Sequence, residues 1–416
     1  MAHIRRASVS STLSNRSVSP LVFVAASNTD TDEWVKAWKQ VTAQDLVESP
    51  VVAIDADESV EVACDTLLSS GAPCLAIQAK DSSYLGLFDH ADVNAFLVLA
   101  ATRHKPTKRE DPADPNRAEK IIAAATAGHV PVQLVSNLSD KNPLHALPHD
   151  ADLVDLLALF AGGAHKVLVK SPAGLNEFLG VVTDRGALAW FASQAQKDST
   201  FLRYLSNTLS SLPLPSLYLY SSVVAVTATS TVLDAMSLMS DEGVSSVAVT
   251  VEDDDRLLSA ISVTDIAKIV VPSENSQVLS MPVHQLVTKI KEPDGATDGA
   301  DKYPVYSVVP SNTLAYAIEK LLATNAHRLF VTDDNPNSQK AGNILEPLSG
   351  IVSTVDVLSL FAVAASIPNV DPARMKRHRR ASSSTSSSSG RFGRSRSTSV
   401  NERRMSPSSG YNFERR

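Results

Sequence analysis

The sequence predicts a mixed α/β protein built from four tandem copies of one β-α-β-β-α unit. Four windows of nineteen residues align without gaps, and each carries apolar residues at the spacing of one buried helical face. The windows are Ser59 to Ile77, Ala151 to Val169, Thr231 to Val249 and Thr313 to Val331. One column near the end of each helix holds a residue that tolerates positive φ, and its members are Gly71, Gly163, Gly243 and Asn325.

The residues around these windows complete each unit. A second apolar run lies downstream and is typical of a strand that leads directly into another helix. These runs cover residues 86–93, 180–187, 259–266 and 350–357. An extended stretch also precedes each first helix. Because one such unit is too small to bury both faces of its sheet, we expect the units to pack in pairs.

Composition separates the predicted repeats from the two ends of the chain. Both ends are rich in Ser and Arg and lack the apolar residues that a core needs, so we expect them to be disordered. The predicted segments are a disordered tail at 1–30, a leading helix at 31–47, repeats at 45–100, 130–200, 213–272 and 281–367, and a disordered basic tail at 371–416.

The last strand and helix share a signature that is complete in the fourth unit, from Gly350 to Val357: Gly, two apolar residues, Ser or Thr, two variable residues, Asp and an apolar residue. With the β-α-β-β-α order, it resembles the cystathionine-β-synthase (CBS) domain over about residues 45–367. The resemblance implies two Bateman modules of two CBS domains each, at 45–200 and 213–367. Such proteins usually sense adenine nucleotides, as the γ subunit of AMP-activated kinase does.

The resemblance also implies which carboxylates would hold a nucleotide. In CBS domains the Asp of the signature accepts hydrogen bonds from both ribose hydroxyls. The corresponding pairs are Ser353 with Asp356 and Ser262 with Asp265, and the first unit has Asp92 at this place. The second unit has Gly186 where the acid is expected, so the resemblance gives no ribose acceptor there.

Basic residues mark the implied phosphate contacts. In the kinase γ subunit, His and Arg just before the second strand contact phosphate. His327 and Arg328 match this place in the fourth unit, and His165 and Lys166 match it in the second. The resemblance therefore implies an AMP, ADP or ATP site with no required cofactor, best formed by Asp356 with His327 and Arg328.

A purely structural interpretation stays open for the same residues. Ser-x-x-Asp at a helix start is also close to a capping box, in which Ser caps the helix and the acid favours its positive end. The basic pairs could equally be solvated strand edges. Both interpretations apply to Asp265 and Asp356.

The tails carry three copies of Arg-Arg-x-Ser, which matches the acidic substrate cleft of basophilic kinases such as cAMP-dependent kinase. The predicted phosphorylation sites are Ser8, Ser382 and Ser406, with Ser19 and Ser406 also preceding Pro. Each phosphate adds about −1.5 to −2 charges. We therefore expect a phosphorylation-controlled contact surface, with plain solubilising disorder as the alternative.

Charge is distributed unevenly along the chain. The net charge is −7, yet residues 371–416 carry +9 and residues 1–30 carry +2, which leaves −18 on the body. An acidic body is a poor surface for nucleic acid, so we expect no specific nucleic-acid partner.

Several features predict an intracellular protein. No apolar run reaches the roughly 18 residues of a membrane span, and we expect no membrane partner. The two cysteines, Cys64 and Cys74, lack metal-ligand spacing and are predicted to be core residues in a reducing compartment. Basic residues 376–380 are typical of a nuclear import signal. The expected location is therefore the cytoplasm and nucleus.

The leading helix contains Trp34 and Trp38, which are one turn apart and share a face. We expect this face to pack on the first module. An exposed anchor for a partner protein is the alternative.

No catalytic or metal-binding constellation emerges: there is no P-loop, Rossmann fingerprint, nucleophile elbow or clustered His/Cys/carboxylate set. At the level of the whole chain, four CBS repeats, a Trp-containing leading helix and Ser/Arg-rich tails resemble the fungal family of cell-separation and nutrient-response proteins. That family inhibits type 2A-like protein phosphatases, so the resemblance implies a non-catalytic regulator whose partner is a phosphatase catalytic subunit. A nucleotide-sensing kinase subunit and a nucleotide-independent scaffold are the alternatives, and homo-oligomerisation is left open.

Overall fold

The computed structural model describes residues 27–102, 114–174, 177–219, 222–252, 256–271, 276–291, 306–332 and 347–370. The helices are α1 (Asn28–Trp38), α2 (Val60–Ser70), α3 (His90–Thr102), α4 (Arg117–Ala127), α5 (Leu153–Ala161), α6 (Asp184–Ala195), α7 (Ser199–Leu205), α8 (Val232–Glu242), α9 (Val263–Val270), α10 (Val283–Lys291), α11 (Leu314–Ala323) and α12 (Thr354–Ala364). The strands are β1 (Val52–Asp55), β2 (Leu75–Gln78), β3 (Tyr84–Phe88), β4 (Ala146–Pro148), β5 (Lys166–Lys170), β6 (Phe178–Thr183), β7 (Ala225–Thr227), β8 (Ser246–Thr250), β9 (Leu257–Ser262), β10 (Ser307–Val308), β11 (Arg328–Thr332) and β12 (Leu348–Ser353).

These strands form four three-stranded sheets, one in each predicted repeat. In every sheet the first strand pairs parallel with the second, and the second pairs antiparallel with the third. The parallel pair is joined by a crossover helix, as parallel pairing requires. The β-α-β-β-α unit is therefore confirmed in all four repeats.

Local sequence signals set the ends of each crossover helix. The side chains of Ser59, Asp152, Thr231 and Thr313 cap α2, α5, α8 and α11 by accepting a backbone N–H from the first turn. The predicted column after these helices has φ of 62° at Gly71, 95° at Gly163, 60° at Gly243 and 54° at Asn325. Positive φ is confirmed at all four positions, and it suits Gly and Asn because the left-handed region penalises other side chains.

The sheets pack face to face within each predicted pair of repeats. In the first module, Cys74, Ala76 and Leu87 of one sheet bury against Leu168 and Val181 of the other. In the second module an equivalent cluster joins the two sheets through Ala248, Leu257, Ala260, Phe330, Leu348 and Ile351. The pairing into two Bateman modules is thus confirmed, and both cysteines are buried and unoxidised as core residues.

The two modules stack through their helices. Helix α3 of the first repeat packs on α8 and α9 of the third, while α5 and α6 of the second repeat pack on α11 and α12 of the fourth. Between α3 and α8, the buried Asn94 Nδ2 donates a hydrogen bond to the Met236 carbonyl oxygen at 3.1 Å. The repeats therefore pair 1 with 2 and 3 with 4 through sheets, and 1 with 3 and 2 with 4 through helices.

The leading helix differs from its predicted bounds, and it packs on the first module as expected but also on the fourth repeat. It begins at Asn28, behind a capping box at Ser27, and ends at Trp38, after which Ala43–Leu46 form a 3-10 turn. Trp34 and Trp38 are 3% and 1% exposed. Trp38 packs against Phe191 in α6 and Phe361 in α12, with ring centroids 5.0 and 6.3 Å away. The predicted buried face is confirmed, but it contacts the second and fourth repeats and so touches both modules.

Other differences lie between the repeats. Helix α4 falls in the predicted connection between residues 100 and 130, where Ile121 enters the core of the first repeat. The predicted phosphorylation sites in both tails lie outside the described residues. None of the described helices combines the length and apolar character that crossing a lipid bilayer requires.

We expect Trp38→Ala to lower the free energy of unfolding by about 3–5 kcal/mol, because the cavity would open within the aromatic cluster between the modules. The matched control is Leu202→Ala on α7, where the side chain is 46% exposed and the cost should stay within about 0.5 kcal/mol. Chemical denaturation of both variants checks this. Equal costs would contradict the packing role of Trp38.

Candidate functional site

A cavity of about 790 Å³ lies where the four repeats meet. Every repeat contributes ionisable side chains to its lining, for example Asp89 from the first, Lys166 from the second, Lys268 from the third and Arg328 from the fourth. Apolar side chains lie between them, including Leu67 and Ile261. A mostly preformed concave site with a few polar groups is what small-molecule ligands use.

The structure brings six of the nine proposed nucleotide-binding residues to this one cavity. They are His165, Lys166, Ser262, Asp265, His327 and Arg328. Ser353, Asp356 and Asp92 lie elsewhere, in the interior of their repeats. The strand that follows each crossover helix begins beside the cavity, which is why the two basic pairs converge although they are far apart in sequence.

Asp356 and Asp265 both complete capping boxes. Asp356 Oδ2 accepts hydrogen bonds from the Ser353 N–H at 2.8 Å and hydroxyl at 2.6 Å. Asp265 Oδ2 accepts the same pair of bonds from Ser262, at 2.9 and 2.6 Å. Asp356 is 2% exposed and does not line the cavity, whereas Asp265 does. The capping interpretation is thus realised at both, and the ribose role stays a prediction, better placed at Asp265.

Asp92 is fully buried within the first repeat. Its carboxylate accepts hydrogen bonds from the Ser139 N–H and hydroxyl at 2.8 and 2.7 Å and from Asn142 Nδ2 at 2.7 Å. These bonds tie the start of α3 to the chain that leads into β4. Asp92 therefore serves the packing of the first repeat and lies behind the cavity lining, where it also accepts a hydrogen bond from the Asp89 N–H at 3.2 Å.

Lys166 forms a buried ion pair with Asp89, which the sequence analysis did not assign to the site. Burial opposes charge on both groups, but the Lys166 ammonium holds the pKa of Asp89 below its ordinary value, and Asp89 in turn raises the pKa of Lys166. Lys166 Nζ also donates to Asn142 Oδ1 at 3.0 Å. The pair links the first two repeats, and leaving either charge alone there would be costly.

Two histidines and a carboxylate also converge at the cavity. His165 Nδ1 lies 2.8 Å from Asp184 Oδ2, and His327 Nδ1 lies 3.7 Å from the same oxygen. Burial lowers the pKa of His165 to about 4, so its ring is neutral at physiological pH. Burial works to raise the pKa of Asp184, but the two histidines outweigh it and the pKa lies below the ordinary value.

Sequence reasoning missed Asp184 for a physical reason. Asp184 follows Thr183 in the signature. The other repeats have His90, Val263 and Thr354 at this position, so no residue type recurs there that would mark it as functional. Its partners are 19 residues upstream and 143 residues downstream, and only the stacking of the second repeat on the fourth brings His327 near.

The acid that the second repeat lacks is supplied by Glu48. This residue precedes β1, and its Oε2 accepts a hydrogen bond from the Thr183 hydroxyl at 2.7 Å. The bond is equivalent to the one from Ser262 to Asp265. A Cβ on Gly186 would clash with the Glu48 carboxylate, so Gly at this position leaves room for the acid. The second repeat lacks the acid at Gly186, as its sequence shows, and a carboxylate from a different part of the chain accepts from Thr183 in its place.

Comparisons with known proteins agree with this architecture. The CBS domain model matches residues 219–272, which cover most of the third repeat. The chain is 28% identical to protein sds23 of Aspergillus niger over 84% of this chain and 77% of that one. It is 31% identical to protein sds23 of Aspergillus clavatus, over 71% of this chain and only 56% of that one.

The chain is thus similar to the Sds23 proteins of fungi over most of its length, and its third repeat matches the CBS domain. A solved structure with the same fold is protein MJ1225 from Methanocaldococcus jannaschii, proposed as an archaeal homolog of g-AMPK. It covers 77% of this chain and 100% of its own, with a TM-score of 0.55 and 15% sequence identity. This likeness concerns the fold alone.

We expect Gly186→Asp to destabilise the protein by about 1–3 kcal/mol, because the new carboxylate must displace that of Glu48. The double variant Glu48→Ala/Gly186→Asp should recover most of this loss, since the introduced carboxylate can then accept from Thr183 as Asp265 does from Ser262. A double-mutant cycle measured by denaturation, with Glu48→Ala as the single control, tests the exchange. Additive costs in the double variant would contradict it.

Proposed function

We propose that this protein is a non-catalytic regulator that senses AMP, ADP or ATP at the central cavity and inhibits type 2A-like protein phosphatases. The proposal of nucleotide sensing rests on the cavity, where ionisable groups of all four repeats surround one space of about 790 Å³. This volume lies in the range of small-molecule sites, roughly 300–1,000 Å³.

The lining suits the parts of a nucleotide. Arg328, Lys268 and Lys166 reach the cavity from three repeats and can make charge-assisted hydrogen bonds to phosphate oxygens. Glu48 and Asp265 offer carboxylates that can accept bonds from ribose hydroxyls. Apolar residues such as Leu67 and Ile261 offer contacts for a base.

The position of the cavity supports a regulatory role. A ligand there touches both modules at once, so it has different contacts when the modules shift relative to each other. Only such a difference in binding free energy between two arrangements allows a ligand to change their populations. The cavity therefore couples nucleotide level to module geometry, and through it to surfaces that bind partner proteins.

Phosphatase inhibition is supported by the similarity to Sds23 proteins and by the resemblance to fungal cell-separation and nutrient-response proteins. On this proposal the protein binds a phosphatase catalytic subunit and acts in cell cycle, cell separation and stress response, in the cytoplasm and nucleus. Basophilic kinases acting on tail serines such as Ser8 and Ser382 would tune that contact. The kinase-subunit function is the second candidate, favoured by the four-repeat fold shared with MJ1225.

Calorimetry with the full chain should show binding of at least one of AMP, ADP and ATP in the micromolar range or weaker. Arg328→Ala should weaken it about tenfold, because a hydrogen bond to a charged group contributes about 1.5–3 kcal/mol. Arg203→Ala, at an exposed position of α7 outside the cavity, is the matched control and should bind as the parent does. Absence of heat with all three nucleotides at millimolar concentration would refute nucleotide sensing.

Purified protein, added at saturating concentration, should reduce the activity of a type 2A-like phosphatase catalytic subunit on a phosphopeptide. Samples with and without prior phosphorylation by a basophilic kinase separate the contribution of the tails. Unchanged phosphatase activity in both samples would exclude inhibition. Affinity purification from cells, followed by mass spectrometry, distinguishes the candidates, since a kinase heterotrimer among the main partners would favour the second.

A further inference from the structure

Three potential metal ligands from two different modules converge at the cavity: His165, Asp184 and His327. One donor atom from each lies within 4.8 Å of the others. The two nitrogen-to-oxygen distances are 2.8 and 3.7 Å. With metal–ligand bonds of about 2.0–2.1 Å, the donors of a tetrahedral zinc ion stand about 3.4 Å apart. The two nitrogen-to-oxygen separations bracket this value, as a shared metal ion would require.

The burial and hydrogen bonding of the Asp184 carboxylate are those expected of a metal ligand. The residue is 1% exposed, and among the described residues its Oδ1 atom has no hydrogen-bond partner. A buried carboxylate oxygen without a donor is costly in a protein interior. A cation bound beside Asp184 would satisfy this oxygen, which the histidines leave without a partner.

Backbone hydrogen bonds position His165, Asp184 and His327 in the absence of an ion. The Asp184 N–H, at the start of α6, donates to the His165 carbonyl at 3.1 Å. In the fourth repeat the Thr354 N–H, at the start of α12, donates in the same way to the His327 carbonyl at 3.0 Å. Both histidines therefore stand at the same point of the repeat, and helix stacking turns them towards each other with ring centroids 5.2 Å apart.

We propose that His165, Asp184 and His327 bind a divalent transition-metal ion, zinc by preference, that links the second and fourth repeats. Two imidazoles and one carboxylate form a donor set that zinc uses when it keeps a fourth position open. Because all three residues line the cavity, water or an oxygen of a cavity ligand fills that position. The ion holds the two modules together from within, beyond any sensing of nucleotide.

Metal binding is measured on the full chain, free of affinity tags, after chelator treatment and without nucleotide. Titration with zinc chloride in competition with a chromogenic chelator should give one tight site per chain. Cobalt in place of zinc should show the visible absorption of a tetrahedral ion. Asp184→Asn, which keeps the shape of the side chain, and His327→Ala should each weaken binding by more than about tenfold.

His149→Ala is the matched control, because His149 is a partly exposed histidine outside the cluster. It should keep the full zinc affinity and the rise in melting temperature that a ligand of the folded state produces. The proposal is overturned if the parent protein binds no stoichiometric zinc, or if Asp184→Asn and His327→Ala bind it as the control does. Since nucleotide is absent throughout, this outcome is separate from that of nucleotide calorimetry.

Discussion

The face-to-face packing of three-stranded sheets is the constraint on which the rest of the structure depends. The helices of one repeat cover only one face of its sheet, so the other face must meet the sheet of a second repeat. Residues such as Ala76 and Leu168 are buried by this contact alone. Once two repeats are joined in this way, their helices remain partly uncovered, and stacking of the modules buries them. Four repeats then enclose a central space, which neither a single repeat nor a single module would form.

The free-energy cost of burying charge in this fold falls mainly on the groups that line the cavity. Its ionisable groups come from strand ends and helix starts that meet at the centre, and a charge buried there needs a partner. Asp89 pairs with Lys166, and Asp184 contacts His165 and His327. The Asp89–Lys166 pair joins the first repeat to the second, and the contact between Asp184 and His327 joins the second repeat to the fourth. A change in the charge of a ligand bound in the cavity would therefore change the packing between repeats.

Sequence reasoning succeeded where a requirement is local and repeated. The positive φ at Gly71 and Asn325 follows from how a helix ends, and the strand order follows from periodicity within each repeat. It did not reveal contacts between residues that are distant in the chain. The sequence shows that Gly186 replaces the acid, but not that the Glu48 carboxylate, 138 residues earlier, takes the space beside it. Trp38 packs on the first module as expected, and its contact with Phe361 of the fourth repeat was not predicted. No spacing rule in a single sequence reports such contacts.

Comparison of the four repeats shows that the residues of the S/T-x-x-D signature serve the turn between the last strand and the last helix of the unit. Each strand that leads into a helix needs acceptors for backbone N–H groups at the turn. The third and fourth repeats use Ser with Asp. The first uses Asp89, which accepts from the Ala91 and Asp92 N–H groups, and the second uses Thr183 supported by Glu48.

A carboxylate therefore serves this turn in every repeat, from the signature Asp in the first, third and fourth and from Glu48 in the second. It follows that this carboxylate cannot by itself distinguish a binding repeat from a structural one. The distinguishing residues are those that face the cavity and have no role in the turn, such as Lys268 and Arg328. They differ from repeat to repeat, which gives the cavity an asymmetric set of charges within a nearly symmetric frame.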